Sequence, residues 1–285
     1  MRGIAFLSFI CFLLFVQGCA NRSFYLPSKS DELNPNVRWL KSASGNDLAY
    51  LWLPSQISQN KGLILHFHGN TGHMEQTKEK VEWLVEHGYS VLIFDYSGFG
   101  HSTGYATDIA LYHDALSILE FTDKLRSRLM LPTFIVATST GGNIFLRAWA
   151  DKPIEIEGII IDSSFTSYVE EAEHVLKQSL FGHFYDWLAG ILMRDDYAVE
   201  SVFDQLPEAR TLVIHCIEDE VVPIESGREV YTRLGGEKQF WPIDRCAHAR
   251  AMTWEFPDIQ MRLVDWLEAA TSATEVALTE KWETS

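Results

Sequence analysis

Between residues 62 and 267 the sequence alternates between two hydrophobic periodicities, and this restricts the fold more than any other feature. Short apolar runs at 62–68, 89–96, 132–139, 156–162, 210–216 and 239–243 read as buried strands. Helical spacing occupies the intervals 74–86, 106–125, 143–151, 225–234 and 257–269, the first closed by the capping glycine Gly88. Strands that alternate with helices imply crossover units on a mostly parallel sheet covered on both faces. The predicted class is therefore α/β. Residues 37–53 are expected to add an antiparallel edge pair. No linker, repeat or low-complexity block interrupts the body. It is expected to be one domain over 37–270, with an insertion at about 166–206 and a tail over 271–285.

The chain carries 39 acidic against 23 basic side chains, a formal net charge of −16. That balance argues against a nucleic-acid partner, which needs clustered Lys and Arg. It also argues against electrostatic attachment to anionic lipid. A covalent attachment is suggested instead. Met1-Arg2 precedes an apolar run from Gly3 to Val16 and then Gln17-Gly18-Cys19, the layout of a signal peptide over 1–18. The run is shorter than the roughly 20 residues of a spanning helix. Val16-Gln-Gly-Cys19 resembles a bacterial lipobox, which implies lipidation at Cys19 and a tether over 19–36. Ala20 stands where an aspartate commonly marks inner-membrane retention, so the resemblance implies an outer-membrane anchor facing the periplasm. The alternative is an ordinary signal peptide or an uncleaved anchor with a chance cysteine.

With Cys11 and Cys19 assigned to the N-terminal region, only Cys216 and Cys246 remain in the body. Two cysteines do not make a disulfide scaffold. They fall on neighbouring strand ends, so they are expected either to bond or to act as small buried fillers. His66 and His68 alternate on one strand without a third ligand nearby and read as structural. No metal site is expected.

In parallel sheets the chemistry gathers at the carboxyl ends of the strands. The run at 132–138 leads directly into Ser139-Thr-Gly-Gly142 and a helix, the arrangement that lifts a serine hydroxyl above the sheet on a sharp turn. The residues two before and two after the serine must be small, and they are Ala137 and Gly141. Gly100-His-Ser-Thr-Gly104 fits the G-x-S-x-G pattern better by letter. It lies in a loop with no helix after its serine, so Ser102 is the decoy. Only His248 follows the last strand and can serve as base at a strand end. The preceding strand leads to three candidate acids, Glu218, Asp219 and Glu220, with Asp162 as a further alternative.

Together, His68-Gly-Asn70, the segment Asp95–Gly104, Ser139-Thr-Gly-Gly142, Ser164-Phe-Thr-Ser167, Asp219 and His248 resemble the signatures of α/β-hydrolase fold serine hydrolases. The similarity is to the serine aminopeptidase and monoacylglycerol-lipase-like group and to the Bem46 and ABHD13-like proteins, and it covers about 37–267. It implies Ser139 as nucleophile, His248 as base and Asp219, through its D-x-x-V-P context, as acid. It further implies an oxyanion hole formed by the backbone N–H groups of Asn70 and Thr140. Neither metal nor organic cofactor is implied.

The expected function is hydrolysis of carboxylic esters or thioesters through an acyl-enzyme, by a monomer acting on a small acyl substrate. The open alternatives are a non-catalytic ligand-binding lipoprotein and an acyltransferase. Within the insertion, Leu180, Phe181, Phe184, Tyr185, Trp187, Leu188, Ile191 and Leu192 are expected to pack a helical lid, with or without an acyl pocket beneath it.

Overall fold

The structure is a computed structural model, and it describes residues 24–31, 33–177 and 193–283, with side chains to 272. Its strands, in chain order, are β1 (Leu26–Pro27), β2 (Arg38–Lys41), β3 (Asp47–Leu53), β4 (Gly62–Phe67), β5 (Thr71–Gly72), β6 (Tyr89–Phe94), β7 (Thr133–Thr138), β8 (Gly158–Asp162), β9 (Thr211–Cys216) and β10 (Lys238–Ile243). The helices are α1 (Met74–Thr77), α2 (Asp108–Leu129), α3 (Thr140–Asp151), α4 (Tyr168–Lys177), α5 (Ile224–Arg233) and α6 (Pro257–Glu283).

Eight strands form one sheet in the order β2-β3-β6-β4-β7-β8-β9-β10. All pairs from β6 to β10 are parallel, whereas β3 runs antiparallel to β6 and β2 antiparallel to β3. The expected edge pair is therefore present. The inner strands β4, β6, β7, β8 and β9 are buried along their whole length, because helices cover both faces. On one face Leu63, Leu65, Phe94, Ile135 and Ile159 meet α2 and α3 through Leu111, Ile118 and Phe145. On the other, Ile64, Val91, Phe134 and Ile160 meet Leu84, Leu263 and Leu267.

After β4 the chain adds β6 on one side and then returns to add β7 on the other. This switch of direction opens a crevice at the carboxyl ends of β4 and β7, where the turns at Asn70 and Ser139 emerge.

Several expectations need correction. The single helix expected over 74–86 is instead α1 followed by two 3₁₀ segments, Lys78–Lys80 and Glu82–His87, interrupted at Val81 with φ −134°. The buried residues Val81 and Leu84 are three apart, and that spacing suits the tighter helix. The predicted stop at Gly88 holds, with φ 98°. Helix α6 continues through the expected tail to Glu283. The tether also differs: from Phe24 onward it lies on the body, with Tyr25 buried and β1 paired in parallel with β5. Its polar composition hid this, because its main links are backbone hydrogen bonds that any side chain permits.

Residues 178–192 are outside the described residues, and with them the eight apolar lid positions; so are residues 1–18 and Cys19. The two ends of the insertion are described. The Asp195 carboxylate accepts hydrogen bonds from the Ser167 hydroxyl (2.6 Å) and the Tyr168 amide (2.7 Å), which caps α4 from the far side of the insertion. The buried side chain of Asn143 donates to the carbonyls of Phe165 and Thr166 and accepts from the Val199 amide.

Candidate active site

Strand β7 ends at Thr138, and Ser139 adopts φ 54°, ψ −126°, a conformation outside the ordinary regions for a non-glycine residue. Helix α3 begins at the next residue. The strand–turn–helix junction read from the sequence is therefore present, and it turns the hydroxyl out of the sheet plane. Gly141 must be glycine at this turn, because a Cβ there would strike the carbonyl oxygens of Phe67 and His68. That close approach brings the β4 loop against Ser139: a Cβ on Gly69 would lie 3.8 Å from Ser139 Oγ.

The structure brings Ser139, His248 and Asp219 together from the ends of β7, β10 and β9. His248 Nε2 lies 3.1 Å from Ser139 Oγ, and His248 Nδ1 donates to Asp219 Oδ2 at 2.7 Å. The second oxygen of Asp219 accepts from the amides of Val221 and Val222, both at 2.9 Å. Burial would raise the Asp219 pKa, but the hydrogen bond and charge of His248 and the two amides outweigh it and hold the carboxyl below its usual range. Asp219 is thus an anion fixed on both oxygens, which holds the imidazole in the tautomer that presents Nε2 to the serine.

The alternatives are held elsewhere. Asp162, at the end of β8, bonds Ser163 through one carboxylate oxygen, and the other has no hydrogen-bond partner among the described residues. Glu218 accepts from the Arg245 amide at 2.6 Å. The Ser102 hydroxyl donates to the Asp95 carbonyl at 2.7 Å and accepts from the Ala49 amide at 2.8 Å, so it stitches two strands together in the interior. His66 meets Thr138 Oγ1, and His68 donates to the Gly69 carbonyl. Burial pushes the His68 pKa down to about 4, against a partial pull upward from that carbonyl, so the ring is neutral at neutral pH. Among the described residues no group of three His, Cys, Asp or Glu side chains is gathered as a metal would require.

Cys216 and Cys246 form a disulfide with Cα atoms 5.0 Å apart, which resolves the choice left open by the sequence. It ties the end of β9, three residues before Asp219, to the loop that carries His248. Two further groups hold that loop and were not anticipated. The Lys80 ammonium donates to the Ala249 carbonyl, and the Ser163 hydroxyl accepts from the Ala249 amide. Lys80 lay hidden in the sequence because it belongs to the segment read as an ordinary surface helix.

Glu171 was also missed. It lies on the inward face of α4 with Tyr168, 5% exposed, and among the described residues both of its buried carboxylate oxygens have no hydrogen-bond partner. Burial, and secondarily the negative charge of Asp219, push its pKa up to about 8. Between the ordinary glutamate value of 4.5 and about 8 the folded chain keeps a proton that the unfolded chain has released, so this group makes stability fall as pH rises through that window. Glu171→Gln is expected to raise the melting temperature by several degrees at pH 9 and to change it little at pH 5. Thermal melts that coincide with the wild type at both pH values would refute this.

Comparison with known proteins follows the same lines. The sequence matches the serine aminopeptidase S33 family over residues 58–201. It is 28% identical over 216 residues to the lysophosphatidylserine lipase ABHD12 of Bos taurus, covering 71% of this chain and 52% of that protein. The chain thus spans about half the length of the curated lipases it matches. It is 24% identical over 292 residues to the uncharacterized protein YfhR of Salmonella typhi, covering 95% of each. Among solved structures, the Pyrococcus furiosus esterase Pf2001 superposes with a TM-score of 0.67 at 17% identity, covering 86% of this chain and 99% of that one. A monoacylglycerol lipase from Paleococcus ferrophilus gives 0.56 at 18% identity, with 78% and 99% covered. At these identities the structural likeness is one of α/β-hydrolase fold.

Proposed function

Since the chain belongs to the serine aminopeptidase S33 family, we propose that it is a serine hydrolase of the esterase and lipase kind that cleaves carboxylic esters or thioesters through an acyl-enzyme on Ser139. The observation that carries this reading is the continuous relay from Ser139 Oγ to His248 Nε2 (3.1 Å) and from His248 Nδ1 to Asp219 Oδ2 (2.7 Å), built on a nucleophile in a strained turn. In the first step Ser139 Oγ attacks the acyl carbonyl while His248 takes the hydroxyl proton. His248 then gives that proton to the leaving alcohol or thiol. Water, activated by the same imidazole, hydrolyses the acyl-enzyme. The tetrahedral oxyanion is met by the backbone N–H groups of Thr140, at the first turn of α3, and Asn70, whose loop abuts Ser139. Single-chain acyl amphiphiles are the proposed substrate class, supported by the lysophosphatidylserine lipases among the relatives. A fluorophosphonate probe should label the wild-type chain and not Ser139→Ala; label that survives the substitution would place the nucleophile elsewhere.

The same proposal includes a lipid anchor at Cys19 in the bacterial outer membrane, with the body in the periplasm. Phe24, the first described residue, lies five positions after Cys19. An extended chain of that length reaches at most roughly 17 Å. The anchor would therefore keep the loop at Asn70 close to the bilayer, where single-chain amphiphiles partition. No helix of the described residues is long and apolar enough to cross a membrane. One acyl chain gives only marginal binding, so stable attachment takes more than one. Cys19→Ser is expected to move the protein from the membrane fraction to the soluble fraction. An unchanged distribution would refute the anchor and leave the catalytic proposal standing.

A further inference from the structure

The segment just after the N-terminal region does more than connect. Asn70 Nδ2 donates to the Phe24 carbonyl at 2.7 Å, and the Leu26 amide lies 3.3 Å from both Asn70 Oδ1 and the Asn70 carbonyl. The Asn70 side chain therefore clasps the backbone of the segment on both sides of Tyr25. The pairing continues in register, Leu26 with Thr71 and Pro27 with Gly72, and the Ser28 amide donates to the Gly72 carbonyl at 3.4 Å.

Farther along, the Gly100 amide donates to the Ser28 carbonyl at 2.8 Å, and Lys29 Nζ donates to the Ser102 carbonyl at 2.7 Å. The segment thus joins the loop after β4 to the loop after β6. At its start, the ring of Phe24 stands edge-on to Tyr168 at 5.3 Å, at the first residue of α4. Tyr25 is buried beneath.

The loop held in this way is the one that abuts the nucleophile. On its inner side it is fixed by the Tyr96 hydroxyl, which donates to the His68 carbonyl at 3.2 Å, and by the His68 ring on Gly69. On its outer side, residues 70–72 meet this segment. An oxyanion donor is effective only when its direction is set before the reaction, because then no reorganisation is needed as charge develops.

We propose that residues 24–30 are a strap that sets the position of the Asn70 N–H, with the Asn70 side chain as a positioning residue that acts through its own backbone. This rests on the reading of Asn70 as an oxyanion donor under the proposed function. It makes the segment before the sheet part of the active site and gives a reason for asparagine at a position where only the backbone would touch substrate.

Two variants loosen the strap from opposite sides. Asn70→Ala removes the clasp and keeps the Asn70 N–H. Leu26→Pro removes the Leu26 amide and leaves Asn70 intact. Each would be assayed in the full chain with a p-nitrophenyl ester and with phenylboronic acid, whose serine adduct places an oxygen in the oxyanion hole, alongside thermal melts. Both variants are expected to lower kcat by roughly 10- to 100-fold, the scale of a donor displaced but not removed. KM should stay within about twofold, and boronate affinity should fall in proportion to kcat, because the lost interaction belongs to the transition state. Should Asn70→Ala fail to fold, Leu26→Pro carries the test. Unchanged kcat, or a rise in KM alone, would overturn the strap while leaving hydrolysis intact. A wild-type chain that neither turns over ester nor binds boronate would overturn the proposed function and the strap with it.

Discussion

Ser139→Ala is expected to lower ester turnover by roughly 10⁴- to 10⁶-fold, with little change in melting temperature. The size follows from the way the relay works as a unit. Without Oγ, His248 has no nucleophile to deprotonate and Asp219 no imidazolium to stabilise, so only the oxyanion donors and substrate binding remain. Among the described residues the hydroxyl bonds only His248, so the fold should tolerate its removal. Ser102→Ala is expected to behave in the opposite way. It deletes a buried hydroxyl that bridges the Asp95 carbonyl and the Ala49 amide, which should cost about 1–3 kcal/mol of stability and spare most of the turnover of the folded fraction. Kinetics and melts on the two variants together check the assignment. A dead Ser102 variant beside a live Ser139 variant would reverse it.

Asp219→Asn should lower turnover by about 10⁴-fold, on the scale known for the equivalent change in serine proteases. The carboxylate accepts from His248 Nδ1 on one oxygen and from Val221 and Val222 on the other. An amide in its place must turn its NH₂ either toward the two backbone amides or toward His248. The first choice sets donor against donor. The second reverses the tautomer, so that Nε2 carries the proton and can no longer take one from Ser139. Asp162→Asn has neither consequence, since Asp162 makes no hydrogen bond to His248, and it is expected to retain most activity. pH–rate profiles of both variants separate the cases: near-normal turnover in Asp219→Asn would move the acid elsewhere.

The serine turn was legible because it is local. Its strand, its small neighbours Ala137 and Gly141 and its helix are contiguous, and sterics alone require them at those spacings. His248 was reachable by order along the chain, as the one histidine beyond the last strand. Asp219 was harder, because Glu218 and Glu220 carry the same charge one residue away. What separates the three is which side chain the turn after β9 directs inward, and Glu218 instead meets the amide of Arg245. The helix expected over 74–86 failed for a related reason. Periodicity marks which face is apolar, but it does not distinguish one α-helix from shorter 3₁₀ pieces that bury the same residues.

By itself, the sequence determined the α/β alternation, the strand that leads into the Ser139 turn, the histidine that follows the last strand and the glycine demanded by the turn. Each of these depends on residues near one another in the chain, where periodicity and steric exclusion act directly. The tertiary structure alone decided the pairing of Cys216 with Cys246, the grip of Lys80 on the His248 loop, the burial of the Glu171 carboxyl and the segment that Asn70 clasps. These contacts join positions about 30 to 170 residues apart, or depend on burial created by another element, and backbone hydrogen bonds such as those of the strap leave no mark on side-chain identity.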